Sequence, residues 1–264
     1  MLFRFTFVML WTFSSIGQAS EKKTVPQTAA QVDWQRLSKT RAVNMREILT
    51  EKKLLLADAL KTPYALPQQQ LRRFSSTSPS VCALQFTSKK LDTYRLKTFP
   101  DAALAQEAGY RVTHMGTCGA CSTLKDLYIY LTQPNLTTPV RSCASQWFAT
   151  TSSLKKCLIE KVGFTSWCAD IWVYNVQHSR KKCFDTCVAE YGWLNLLLRR
   201  FPKTNNTSTG ALRPCVRCDE EKSGPGFKYG AGRTRRNSGI ESGIQRPQQS
   251  ISVVNHQGYF DEIE

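Results

Sequence analysis

Cysteine is missing from the first 81 residues of this 264-residue chain, and the common hydrolase signatures are missing throughout. There is no G-x-S-x-G elbow and no H-E-x-x-H helix. Three histidines, His114, His178 and His256, are the whole supply of imidazole bases. Phosphate cradles of the G-x-x-x-x-G-K-[ST] and G-x-G-x-x-G kinds are also lacking, so nothing in the sequence implies a nucleotide or any other cofactor. After the N-terminus no stretch approaches the roughly 20 apolar residues of a membrane helix. The richest, Trp193 to Leu198, ends in Arg199 and Arg200. Acid is scarce, with 20 Asp and Glu against 36 Lys and Arg, a net charge of +16.

What is present begins at Met1. A single early charge at Arg4 precedes an apolar stretch from Phe5 through Phe13, followed by the small residues Ser14, Ser15, Gly17, Ala19 and Ser20. Residues 1–19 read as a cleaved signal peptide, which sends the product to the secretory-pathway lumen or the outside. Without Arg4 the chain keeps 35 basic residues against 20 acidic ones, a net charge of +15. All ten cysteines lie beyond the signal: Cys82, Cys118, Cys121, Cys143, Cys157, Cys168, Cys183, Cys187, Cys215 and Cys218. An even count in an oxidising compartment predicts disulfides, with the connectivity left open. Asn135, Asn205 and Asn206 each begin an N-glycosylation sequon.

The cysteine-free stretch 20–80 reads as a helical arm and linker, with one helix after Asp33 through Met45 and another from Thr50 to Lys61. Residues 81–264 read as a cysteine-rich globular domain. Strands are predicted over Val81 to Thr87, Leu91 to Phe99 and Tyr110 to His114, with an Asp101-capped helix between the last two. Helices follow: from Ala120 or Cys121 to Leu131, from Thr138 through Trp147, from Leu154 to Val162 with Gly163 as the stop, from Ser166 through Val176, and from Lys181 to Arg200 with a break near Gly192. The glycine-rich stretch beyond Gly210 reads as loop. The expected fold class is α+β, predominantly α: cross-linked helices packed on a small N-terminal strand region, with glycine-rich C-terminal loops.

The sharpest local motif is Cys118-Gly119-Ala120-Cys121, after a strand and before a helix. A C-x-x-C at a helix N-terminus exposes a low-pKa first thiol to attack and a second that resolves the mixed disulfide. Cys118 would attack, Cys121 resolve, and His114 lower the first thiol's pKa. In type, the stretch resembles the active-site motif of thioredoxin-like oxidoreductases, over about 40 residues from Leu91 to Leu131. That resemblance implies thiol-disulfide exchange. The alternative is that both cysteines are structural. A second C-x-x-C, Cys215 to Cys218, raises a zinc site with the first, weakened by their separation. Cys183 and Cys187 are one helical turn apart and suit stapling to Cys143, Cys157 or Cys168 on neighbouring helices.

From Ser223 to Gly239, glycines alternate with Lys228, Arg233, Arg235 and Arg236. Backbone N–H nests and guanidinium forks in such a stretch suit phosphate, sulfate or carboxylate. A solvated basic loop is the plainer alternative. Arg233-Thr234-Arg235-Arg236 is also similar to a processing-protease site, which would release the tail from Asn237. The signal peptide argues against nucleic acid as the partner of this charge, leaving an extracellular polysaccharide, a lipid headgroup or an acidic protein. The leading reading is therefore a secreted or surface-associated, disulfide-stabilised binding domain with a basic surface. The competing one is a thiol-disulfide oxidoreductase of the secretory pathway.

Overall fold

The computed structural model describes residues 46–47, 63–66, 80–87, 93–144, 150–198 and 200–260. The signal peptide and the two helices expected in the arm lie outside the described residues.

Alternating side chains and short connections give the sheet. Strand β2 (Val81–Phe86) pairs antiparallel with β3 (Thr93–Phe99) on one side and β4 (Arg111–Met115) on the other. The two-residue β1 (Arg46–Glu47) joins the outer edge of β3 in parallel, giving the order β1-β3-β2-β4. Being central, β2 is covered on both faces. Val81 and Ala83 pack with Phe99 and with Ala105 of helix α1 (Ala102–Glu107), whereas Leu84 and Tyr94 join the main core. Asp101 caps α1 as predicted, accepting from the Leu104 amide at 2.9 Å.

The helical layer is α2 (Leu124–Thr132), α3 (Thr137–Ala144), α4 (Thr151–Cys157), α5 (Ser166–Tyr191), α6 (Trp193–Leu197), α7 (Pro214–Lys222) and α8 (Gly224–Ala231). A π-turn over Leu158–Val162 extends α4 to Gly163, which takes the positive φ that ends it. Leu124, Leu127, Leu158, Phe164 and Ile171 are wholly buried between these helices and the sheet. Asp126 ties two helix starts together: it accepts from the Thr123 hydroxyl at the head of α2 and from the Thr165 amide and hydroxyl at the head of α5.

Three boundaries differ from expectation. Helix α2 begins at Leu124 because Thr123 is its cap, so Cys121 stands outside the helix. The two helices predicted over 166–176 and 181–200 are one 26-residue helix as far as Tyr191, since nothing between them breaks a helix until Gly192 turns the chain with φ 76°. The stretch beyond Gly210, expected as loop, forms α7 over 214–222 and, over 224–231, α8. Its glycines let it approach its neighbours closely: a Cβ on Gly226 would lie 2.5 Å from the Tyr64 ring, and one on Gly230 2.8 Å from Ile171. Close packing here outweighs the roughly 1 kcal/mol per residue that glycine costs a helix. Beyond Gly232 the chain does run as loops, with 3-10 turns at Arg236–Ser238 and Gln248–Ser250, before Tyr259 and Phe260 return to the core.

All ten cysteines are bonded: Cys82–Cys118, Cys121–Cys168, Cys143–Cys157, Cys183–Cys218 and Cys187–Cys215. The one-turn spacing of Cys183 and Cys187 does staple a helix face, but to α7 and not to Cys143, Cys157 or Cys168. Because Cys183 takes Cys218 and Cys187 takes Cys215, α5 and α7 run antiparallel as a doubly bolted hairpin. This disulfide-stabilised chain fits an oxidising compartment. Among the described residues no helix is long and apolar enough to cross a membrane.

Candidate functional site

The Cys118–Cys121 loop holds no dithiol. Cys118 is committed to β2 through Cys82, and Cys121 to α5 through Cys168. Both are buried, with Cys118 5% and Cys121 0% exposed. A redox C-x-x-C requires its two sulfurs to bond one another and the first to reach solvent. The sequence motif signals something else: its Gly119 packs backbone to backbone on Gly232, and the Ala120 and Cys121 amides donate to the carbonyls of Gly230 and Ala231 at 3.0 and 2.9 Å. His114 has a structural task as well. Its Nδ1 lies 2.9 Å from the Met115 carbonyl and its Nε2 2.7 Å from the Ser122 hydroxyl. Burial, and then Arg233, hold its pKa well below the usual imidazole value.

The basic residues of 223–239 separate into different roles. Arg233 is wholly buried, and its guanidinium donates to the carbonyls of Cys121, Thr113 and Ser122 and to the hydroxyls of Thr113 and Ser238. An anion cannot reach it, and neither can a protease reading the run from Arg233 to Arg236. Burial pulls its pKa down to about 10, which keeps it charged at neutral pH. Arg235 donates to the carbonyls of Glu241 and Gln133 and lies 5.6 Å from the Tyr130 ring centre. Arg236 faces Glu220 at 3.8 Å. Lys228 alone keeps an ammonium free of any protein acceptor among the described residues. The zinc reading of Cys215 and Cys218 is overturned by their bonds to Cys187 and Cys183. Two sequons are closed off too. The Asn205 side chain donates to the Gly243 carbonyl and that of Asn206 to those of Gly210 and Gln245, and both residues are buried. Asn135 stays half-exposed.

Lys228 looks into a cavity of about 600 Å³ between α3, α5, α7, α8 and the segment after Gly232. That is within the size range of small-molecule sites, about 300–1,000 Å³. Val140, Trp172, Val176, Phe184, Tyr191 and Phe227 supply apolar wall. Arg141, Arg180, Lys228, Arg235, Arg236 and Arg246 bring positive charge, against the carboxyls of Asp219 and Glu220. Glu220 is used by Arg246 at 2.6 Å and Arg236 at 3.8 Å. Asp219 accepts from Ser179 and from Asn175, and burial raises its pKa, which weakens it as a counter-charge. Arg141 stacks over Tyr191 and Phe201. Burial, then Arg236, lowers the Lys228 pKa, with Glu220 opposing.

The Tyr130 hydroxyl and the Trp172 indole nitrogen lie beside one another, closed off from solvent, without a well-formed hydrogen bond to any other group among the described residues. Such orphaned groups cost on the order of 1–3 kcal/mol each unless something pairs with them. Sequence reasoning pointed to Lys228, Arg235 and Arg236 but missed Tyr130, Arg141, Trp172, Arg180 and Arg246. They come from four distant segments, and no local spacing announces them.

Residues 151–254 match a family of unknown function (DUF8771). The DUF8771-like span runs from α4 into the C-terminal loops. It carries Trp172, Lys228 and Arg246 of the cavity wall, but leaves out the sheet, Tyr130 and Arg141. Comparison with curated proteins and with solved structures gives no match.

Proposed function

We propose that this chain is a secreted or surface-associated binding domain whose ligand is a small amphipathic anion, a lipid-like carboxylate or phosphate held in the α3–α5–α7–α8 cavity. One observation carries the reading. Lys228 is the one lysine of the cavity wall, its ammonium has no protein acceptor among the described residues, and the wall around it combines apolar side chains with surplus positive charge. A free ammonium beside a largely apolar space with surplus positive charge suits a ligand whose body is hydrocarbon and whose head is an anion. Of the anionic partners compatible with the sequence, a lipid headgroup with its chain best suits a concave site whose wall is largely apolar; a polysaccharide or an acidic protein would leave that apolar wall unused. The signal-like N-terminus and five disulfides support an extracellular setting.

The test is displacement of a fluorescent long-chain carboxylate from the full secreted protein by oleate, by oleyl alcohol and by heparin. Oleate should compete, the alcohol should compete about tenfold less well, and heparin should not. Lys228→Met should weaken the probe while leaving thermal stability intact. Absence of probe binding, or equal competition by the alcohol, refutes the proposal.

A further inference from the structure

We infer that the exposed segment after α5, from Trp193 to Leu198, docks this protein on an anionic lipid bilayer. Gly192 ends α5 and turns the chain into the short α6. There Trp193 is 60%, Leu194 56%, Leu197 36% and Leu198 49% exposed, and Phe184, seven residues before Tyr191 on α5, is 58% exposed. Nine large apolar side chains are exposed among the described residues, and these five fall within fifteen positions. The other four are scattered. Exposed apolar side chains concentrated in this way mark an interaction surface.

Charge selects the partner. From Trp193 to Lys203 the sequence carries Arg199, Arg200 and Lys203 and no acid. Lys181 and Lys182, both exposed, stand just ahead of Phe184, and the one exposed acid between them and Tyr191 on α5 is Asp185. Glu190 is occupied by Arg213 and the Cys215 amide. A tryptophan and leucines bordered by lysine and arginine match a membrane interface, where the indole sits at headgroup depth and the cations meet anionic lipid. The patch also adjoins the cavity: Phe184, Leu196 and Phe201 belong to its wall. An amphiphile leaving the bilayer at α6 would meet that wall directly. This route rests on the cavity reading; the docking itself does not.

The experiment is flotation of the full secreted chain with vesicles of phosphatidylcholine alone or phosphatidylcholine with phosphatidylserine, in low and high salt, alongside tryptophan emission. The chain should float only with the anionic vesicles, blue-shift its emission, and be released by salt. Trp193→Ser combined with Leu197→Ser should reduce partitioning by at least about tenfold. Both positions are exposed, so folding is not at stake. Arg200→Glu should weaken binding to anionic vesicles without changing the thermal midpoint. No flotation, equal flotation with neutral vesicles, or unaltered binding by the double variant overturns the inference. A change in oligomeric state in the variant without vesicle binding by the parent also overturns it, assigning the patch to a second copy. Probe binding in solution separates the two readings, because the double variant should retain it and Lys228→Met should lose it while still floating.

Discussion

A Cβ placed on Gly119 would lie 2.6 Å from the backbone nitrogen of Gly232, and one placed on Gly232 would lie 2.4 Å from that of Gly119. The C-x-x-C loop and the glycine-arginine segment, the two motifs that stand out most in the sequence, are thus two sides of one backbone crossing. Their glycines permit contact; they serve neither thiol exchange nor an anion nest.

Gly119→Ala is therefore expected to destabilise the protein by about 3 kcal/mol, since the atoms in the way are backbone and cannot rotate aside. Gly224→Ala is the control. It sits in α8 with its nearest neighbour at 3.9 Å and should be neutral or slightly stabilising. Chemical denaturation of both variants, compared at equal m-value, checks the contrast.

Arg233 contributes to stability through its fork. Its Nη1 donates to the Thr113 carbonyl at 2.9 Å and its Nη2 to the Thr113 hydroxyl at 2.6 Å, while Nε reaches the Cys121 carbonyl at 3.1 Å. Arg233→Lys keeps the charge but cannot serve all of these acceptors, and should cost roughly 3 kcal/mol or more. Arg236→Gln, losing a partly exposed contact at 3.8 Å, should cost less than about 1 kcal/mol. Equal losses would contradict the assignment.

Differential alkylation with peptide mapping should find all ten cysteines protected in a glutathione buffer, including Cys118 and Cys121, and linked in the five pairs seen here. Labelling of Cys118 and Cys121 alone would revive a labile dithiol. Replacing Cys187 and Cys215 together by serine removes the inner of two nested bridges and should cost about 2–3 kcal/mol in the chain-entropy account, less than a lone bridge, because Cys183–Cys218 still restrains the same chain.

Acid should weaken the fold through His256. Burial first, then Arg233 and Arg111, push its pKa down to about 4, and its Nε2 lies 2.6 Å from the Ser238 carbonyl. The depressed value means the unfolded chain takes up a proton near pH 6.5 that the folded chain refuses. The stabilisation is complete above that pH and is lost as pH falls toward about 4, a change on the order of 3 kcal/mol. His114, lowered for the same reasons, acts in the same direction. Melting temperature measured across this window should fall with acid, and His256→Gln should flatten part of the decline.

The sequence by itself determined the local devices. Asp101 was legible as a helix cap and Gly163 as a helix stop, because each acts on atoms within about five residues of itself. The alternation of Tyr94 with Arg95 and of Leu96 with Lys97 made β3 readable for the same reason. The α-rich class with a small strand region followed from those signals together. Tertiary structure alone decided which sulfurs meet, because pairing depends on which helix faces are opposed, and α7, the partner of Cys183 and Cys187, is fixed only when it packs on α5. It alone decided that Arg233 is an interior clasp while Lys228, five residues away, faces a cavity. Charge and spacing are the same for both in the sequence; burial, which sets whether a cation needs protein acceptors or can take a ligand, arises only when distant segments close around it.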